Sequence, residues 1–376
     1  MEGGTVHTLD LSAATTSAWR ASPLAGVWLS PDGRVLATAS RTGSSYRLEL
    51  RDTRDGRLLR SPPALPLPVS RDPDRPVVPQ QTKPLLAFSP DGKTLAYGVS
   101  TPGHSVSPLR VTIWDLARGG HERTALDLSR SQSGAAVIAL ALSSDGRDLY
   151  TTRTPASGEL SNESWDLTTG RRLHTTTDTR LASVHMAVRP GGELVVGDNR
   201  VARAYGSETK AQDLVQGDMV SAVAFSPDGH ILAAGDPTGR VALWDGDVSH
   251  RAGVLRNLFP APLGASPEAV RSLAFSPDGH TLAVGGDAGT LQLWDTATQQ
   301  PLGGPLATPG ESIDTLAFST DNRTLYAGGL HVPLHQYAVD TGRSVSRVCV
   351  RAQGKDLTEA QWRAYLPEVG YRRVCT

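Results

Sequence analysis

The chain lacks any long hydrophobic run, and its N-terminus, MEGGTVHTLDLSAATTSAW, has neither a positive leading segment nor a continuous apolar stretch. A membrane span and an export signal are both unexpected on that ground, so the protein is expected to be soluble and cytoplasmic, with no membrane partner. Net charge is scarce as well. Lys+Arg 37 against Asp+Glu 38 leave −1, so no global field would draw the chain to nucleic acid. The two cysteines, Cys349 and Cys375, are too few for a disulfide framework and lack zinc-type spacing. Free thiols in a reducing compartment are the expectation, although oxidation of the pair would close a loop worth about 3 kcal/mol.

Catalytic and metal signatures are missing in turn. Gly92-Lys93-Thr94 ends like a phosphate-binding loop, but Ala87 stands where that loop needs glycine, and the setting is a strand reversal. No Gly-x-Ser-x-Gly elbow exposes a nucleophile. His331 and His335 have the spacing of a chelating pair on a helix, but Pro333 bars the helix, and on a strand they would stand about 13 Å apart. Asp245-Gly246-Asp247 lacks the remaining spacing of a calcium loop. Asn162-Glu163-Ser164 and Asn322-Arg323-Thr324 are sequons without a secretory context. No catalytic residue, cofactor or metal ligand is nominated, and the chain is expected not to be an enzyme.

What the chain does have is repetition. AFSPDGHILAAGDPTGRVALWD at 224–245 returns as AFSPDGHTLAVGGDAGTLQLWD at 274–295. In Ser-Pro-Asp-Gly, serine suits the first turn position, proline fixes φ at the second and glycine accepts the left-handed conformation that closes a hairpin. Related turns begin at Ser30, Ser89, Ser143, Arg189, Ser226, Ser276 and Ser319. Short apolar runs flank them, as expected of strands buried on both faces. Each turn is followed by a strand ending in an aromatic and a carboxylate or a decayed version of that pair. Trp114-Asp115, Trp165-Asp166, Trp244-Asp245 and Trp294-Asp295 keep it, while Leu50-Arg51-Asp52, Ala204-Tyr205-Gly206 and Gln336-Tyr337 do not.

These residues resemble the WD40 repeat family over roughly residues 4–348. The resemblance implies an all-β, seven-bladed β-propeller, because a sheet that cannot bury both faces alone is repeated until a ring of sheets buries them against one another. Gly4–Leu11 aligns with a third strand, so residues 1–20 read as a half-blade that completes the last blade and closes the seven-bladed ring. The alternative, an eight-bladed or partly open ring, reads them as the remnant of an eighth blade. The family's polar network is largely lost: the Gly-His pairs lie in the first hairpin, and Thr238 and Ala288 replace the turn aspartate. Apolar packing between blades must then carry more of the stability.

The insertions Ser61–Pro84, Ser100–Pro108, Thr154–Ser161 and Pro260–Glu268 all map to one face, the candidate partner surface. The first, with eight prolines, reads as a stiff solvated linker or an extended recognition strand. Residues 349–376 form a separate tail, in which Thr358 and Gln361 make a capping box and Trp362 and Leu366 pack as a helical cap. This tail is similar to the one that ends many bacterial WD40 signalling proteins, which implies that a relative couples the propeller to a signalling domain. The chain is expected to be a monomeric, non-catalytic scaffold for protein partners in bacterial signalling; the alternatives are a propeller enzyme, a hydrolase or lyase, and a sensor propeller that binds a small ligand.

Overall fold

The computed structural model describes residues 19–70, 73–74, 76–101, 106–107, 110–117, 121–128, 136–154, 161–176, 185–191, 194–197, 200–203, 209–211, 213–215, 219–256, 259, 267–340, 349–350, 353–365 and 370–375. The half-blade expected at the N-terminus and the Ala204-Tyr205-Gly206 strand end lie outside these residues, except that Trp19 and Arg20 are described. Among the described residues, seven antiparallel sheets of three or more strands follow one another along the chain, with one further two-stranded ribbon. The first runs Gly26–Leu29, Val35–Thr42, Ser45–Asp52 and Leu58–Arg60. The second is Lys83–Phe88, Thr94–Ser100, Arg110–Asp115 and His121–Asp127; the third is Ala136–Leu142, Asp148–Thr154, Ser161–Asp166 and Arg171–Thr176. The fourth is Met186–Val188, Leu194–Gly197, Arg200–Arg203 and Thr209–Ala211; the fifth is Ala222–Phe225, Ile231–Gly235, Val241–Asp245 and Arg251–Leu255. The sixth, Val270–Phe275, Thr281–Gly286 and Leu291–Asp295, and the seventh, Thr315–Phe318, Thr324–Gly328 and His335–Ala338, have three strands each.

Both faces of these sheets are buried, which explains why their strands do not alternate. In the fifth sheet Trp244 joins the apolar cluster shared with the fourth, while its neighbour Leu243 joins the cluster shared with the sixth. Trp114 and Ile113 divide in the same way between the first and third sheets, and Trp294 and Leu293 between the fifth and seventh. Successive side chains on a strand point to opposite faces, so each strand supplies two seams at once. Seven clusters straddle consecutive sheets in this manner, and the last joins Val27, Leu29 and Leu36 of the first sheet to Ala317, Tyr326 and Leu334 of the seventh. The Leu29 N–H also donates to Thr315 Oγ1 at 2.9 Å, across 286 positions of sequence.

The third sheet departs from this apolar rule. Its strand Ser161–Asp166 is buried although its sequence is SNESWD. Glu163 Oε2 accepts from Arg153 Nη1 at 3.0 Å and from Trp165 Nε1 at 3.1 Å, while Arg172 Nη1 lies 3.4 Å from the other oxygen. Arg153 also donates to the Leu128 carbonyl at 3.0 Å, and both side chains of the Arg153–Glu163 pair are fully buried. Asn162 Oδ1 accepts from Thr152 inside the same sheet, and the side chain of this sequon is buried in the folded protein. Taking two charges out of water is costly, and their attraction offsets that cost only with good geometry. Glu163→Leu strands the Arg153 charge, and a loss of about 3–5 kcal/mol is expected in urea denaturation. Adding Arg153→Met should restore most of it; if the double variant is no more stable than the single, the penalty lies elsewhere than in the orphaned charge.

The tail corrects one expectation and matches another. Cys349 and Cys375 are not free thiols but a disulfide, with Cα atoms 5.2 Å apart. The capping box is formed: Gln361 N donates to Thr358 Oγ1 at 3.2 Å and Thr358 N to Gln361 Oε1 at 2.9 Å, opening the helix Glu359–Tyr365. Trp362 is buried and meets Tyr371 edge-on at 5.8 Å, whereas Leu366 lies outside the described residues. Asp356 accepts the N–H groups of Val374 and Cys375, which draw its carboxyl below the usual range. A segment this short cannot hold a fold through one buried aromatic alone. Closing its 26-residue loop contributes about 3.5 kcal/mol. Reduction is therefore expected to remove hydrogen-exchange protection from the helix amides while leaving those of the sheets intact; unchanged helix protection under reductant would show that the disulfide is not what orders the tail.

Candidate functional site

The four Trp-Asp pairs are parts of the frame. All four indoles are buried. Trp165 Nε1 reaches Glu163 and Trp244 Nε1 the Leu214 carbonyl at 3.0 Å, while Trp294 Nε1 has no hydrogen-bond partner among the described residues, so no common network links the indoles there. The aspartates cap the turn after the third strand. Asp115 accepts from Ala117 N at 2.9 Å, Asp166 from Thr168 N at 2.6 Å, Asp245 from Ser249 N at 2.7 Å and Asp295 from Thr298 N at 2.6 Å.

A second set of carboxylates went unread in the sequence. Glu268 precedes the sixth sheet and accepts the N–H groups of Ala288 and Thr290, both at 2.9 Å. Glu311 precedes the seventh and accepts those of His331 at 2.9 Å and Val332 at 2.5 Å. Each caps the turn between second and third strands of its own sheet. Glycine makes this approach possible: a Cβ on Gly286 would sit 2.0 Å from Glu268 Oε1, and one on Gly329 2.6 Å from Glu311. In the fifth sheet Asp236 does the same work from within the turn, accepting from Thr238 N at 2.8 Å and Arg240 N at 3.0 Å. His331 and His335 are not brought together as ligands: His331 stacks on Trp19 at 4.5 Å and His335 packs on Tyr337. Among the described residues no cluster of His, Cys, Asp and Glu could hold a metal.

The opposite ends of the strands carry the Ser-Pro-Asp-Gly turns, and there serine is the hub. Ser226 Oγ donates to Asp228 at 2.5 Å and receives the Ile231 N–H at 2.9 Å, and the same pair of bonds recurs at Ser30, Ser89, Ser143, Ser276 and Ser319. Gly92-Lys93-Thr94 belongs to one such turn, with Gly92 at φ +69°. Arg189 replaces serine in the fourth sheet and instead donates to the Gly229 carbonyl at 3.0 Å and to Asp247. Partial burial alone would raise the pKa of Asp228 and Asp278, but the serine hydroxyl and the next N–H outweigh it and hold both below the ordinary range. Asp321 is lowered first by the Ser319 hydroxyl and then by the Arg323 N–H. Asp166 and Asp295 are lowered chiefly by the backbone N–H groups of Thr169 and Thr298. A carboxylate with a depressed folded pKa stabilises the fold above its unfolded value of about 4, and that contribution is lost as pH falls through the folded value. Urea midpoints should accordingly hold down to about pH 5 and decline below about pH 4. Equal midpoints at pH 3 and pH 7 would show that these turns contribute nothing through ionisation.

Two surfaces remain as places for a partner or ligand. At the second-to-third-strand end, the proline-rich insertion is not a solvated linker. Leu65–Pro66 pairs with Ser45 and Tyr46 as an added strand of the first sheet, Leu65 is buried, and Tyr46 Oη bonds to the Thr82 carbonyl at 2.8 Å. Val69–Ser70 then pairs with Val106–Ser107 of the next insertion in a two-stranded ribbon. Val69 is 72% exposed there. The other two insertions lie largely outside the described residues. At the turn end, the first strands of all seven sheets line one cavity of about 730 Å³. Leu29, Phe88, Leu142, Val188, Phe225, Phe275 and Leu316 each contribute from a different sheet, and among the described lining residues Asp32 and Asp91 carry a formal charge.

The family model for the WD domain, G-beta repeat, matches residues 212–245 and 261–295. Those stretches contain the third strands of the fifth and sixth sheets, with Trp244-Asp245 and Trp294-Asp295 at their ends. No curated protein matches the chain. No helix among the described residues is long and apolar enough to cross a membrane. The matched residues carry WD40 repeats, a type of repeat that commonly mediates protein–protein interaction.

Proposed function

We propose that this chain is a seven-bladed WD40-type propeller that serves as a non-catalytic scaffold for protein partners in bacterial signalling. The two matched repeats support the blade type, and the apolar seam between the first and seventh sheets supports closure of the ring. The similarity of the tail to those of bacterial WD40 signalling proteins supports the setting. The observation that carries the interaction role is the ribbon joining two insertions. A loop that is merely tolerated has no reason to pair with its neighbour, whereas Val69–Ser70 and Val106–Ser107 do so. Binding costs less when the surface is already ordered, and an apolar residue held out of the core on a paired ribbon is suited to a partner's pocket.

Val69→Asp should leave melting unchanged, because the side chain touches solvent rather than core, and it should remove a partner captured stoichiometrically by the wild-type chain from native extract. Thr320→Asp, at the turn end, is the control and should retain that partner. Loss from both variants, or from neither, would place the partner surface somewhere other than the ribbon.

A further inference from the structure

The axial cavity lies at the turn end, away from the ribbon, and its chemistry differs from that of the proposed partner surface. Its volume of about 730 Å³ falls within the range of about 300–1,000 Å³ usual for small-molecule sites. Phe88, Leu140, Met186, Phe225 and Leu273 line it and are only half-buried, so large apolar side chains keep surface turned toward the open space. The walls are also prearranged. Each first strand is an edge of its sheet, and the rim consists of hydrogen-bonded turns in which proline has little backbone freedom to lose.

The same walls discriminate by charge. Asp32 and Asp91 come from adjacent turns, and the Asp32 carboxyl approaches so closely that a Cβ on Gly92 would lie 3.0 Å from it. Lys93 stands 3.4 Å from Asp91 and Arg34 3.7 Å from Asp32, so these cations are already engaged outside the cavity lining. Among the described lining residues there is no cation, so an anion would meet the Asp32 and Asp91 carboxylates with no lining counter-charge to receive it. Edge strands, in contrast, present backbone N–H and C=O groups that can receive a neutral hydroxyl or carbonyl.

We infer that this cavity is a binding site for one small, uncharged apolar molecule bearing at most a neutral polar group, of the class of long-chain alcohols or ketones. Nile red serves as the fluorescent probe, with decan-1-ol and decanoate as competitors. Nile red is expected to saturate at one molecule per chain and to be displaced by decan-1-ol at least tenfold more effectively than by decanoate. Ala224→Trp fills the cavity and should weaken Nile red at least tenfold with the melting temperature retained. Should that variant fold poorly, Ala187→Leu tests the same space from the fourth sheet and should weaken the dye by a smaller but measurable factor. The inference is overturned by non-saturable binding, by equal competition from decanol and decanoate, or by binding that folded cavity-filling variants leave unchanged.

Discussion

Everything in this molecule depends on sheets burying both of their faces against neighbouring sheets. Among the described residues no sheet has a helix layer to cover it, so a strand must satisfy two interfaces with successive residues. Ile113 and Trp114, Leu243 and Trp244, and Leu293 and Trp294 show the arrangement three times over, one residue packing forward and the next backward. The consequence is collective stability. Each seam is made of a few Leu, Val, Ala and Trp side chains, and removal of one sheet would expose the faces of two others.

The third sheet meets this constraint partly with polar groups. Among the described residues, its apolar cluster toward the fourth sheet is built on Ala141, Tyr150 and Val188 with Met186 beside them. Thr152 bonds to Asn162 and lies 3.2 Å from the Met186 sulfur. Toward the second sheet the buried Arg153–Glu163 pair ties into the Leu128 carbonyl. Polar groups packed this deeply demand specific partners, so the third sheet trades non-directional packing for a fixed geometry.

Much of the frame was legible because its signals are local. Ser-Pro-Asp-Gly specifies a turn within four residues, and the capping box of Thr358 and Gln361 lies within one helical turn. The missed features are pairings across distance. Glu268 with Gly286 and Glu311 with Gly329 are each separated by eighteen positions, a repeated spacing that could have been noticed beside the lost Gly-His network. SNESW reads as a solvent-facing edge strand, and nothing local says that Arg153 will lie beneath it. The linker reading of the proline-rich insertion fails because composition measures stiffness and cannot show that Leu65 has a buried place to go. Likewise, spacing alone did not decide whether Cys349 and Cys375 are thiols or a disulfide.

The two ends of the strands are specialised by what each turn allows. At the serine turns, hydroxyl, carboxylate and backbone groups satisfy one another within about five residues, leaving no room for insertion. Their constancy from sheet to sheet keeps the cavity mouth regular. At the other end the turns are capped by carboxylates arriving from outside the turn, as Glu268 and Glu311 do, or by residues of the turn itself, as Asp236 does. A turn whose capping group comes from another segment can vary in length without losing its ties. The insertions between Ser61 and Pro108 lie at this end, and there Val69–Ser70 pairs with Val106–Ser107 in a ribbon that leaves Val69 exposed.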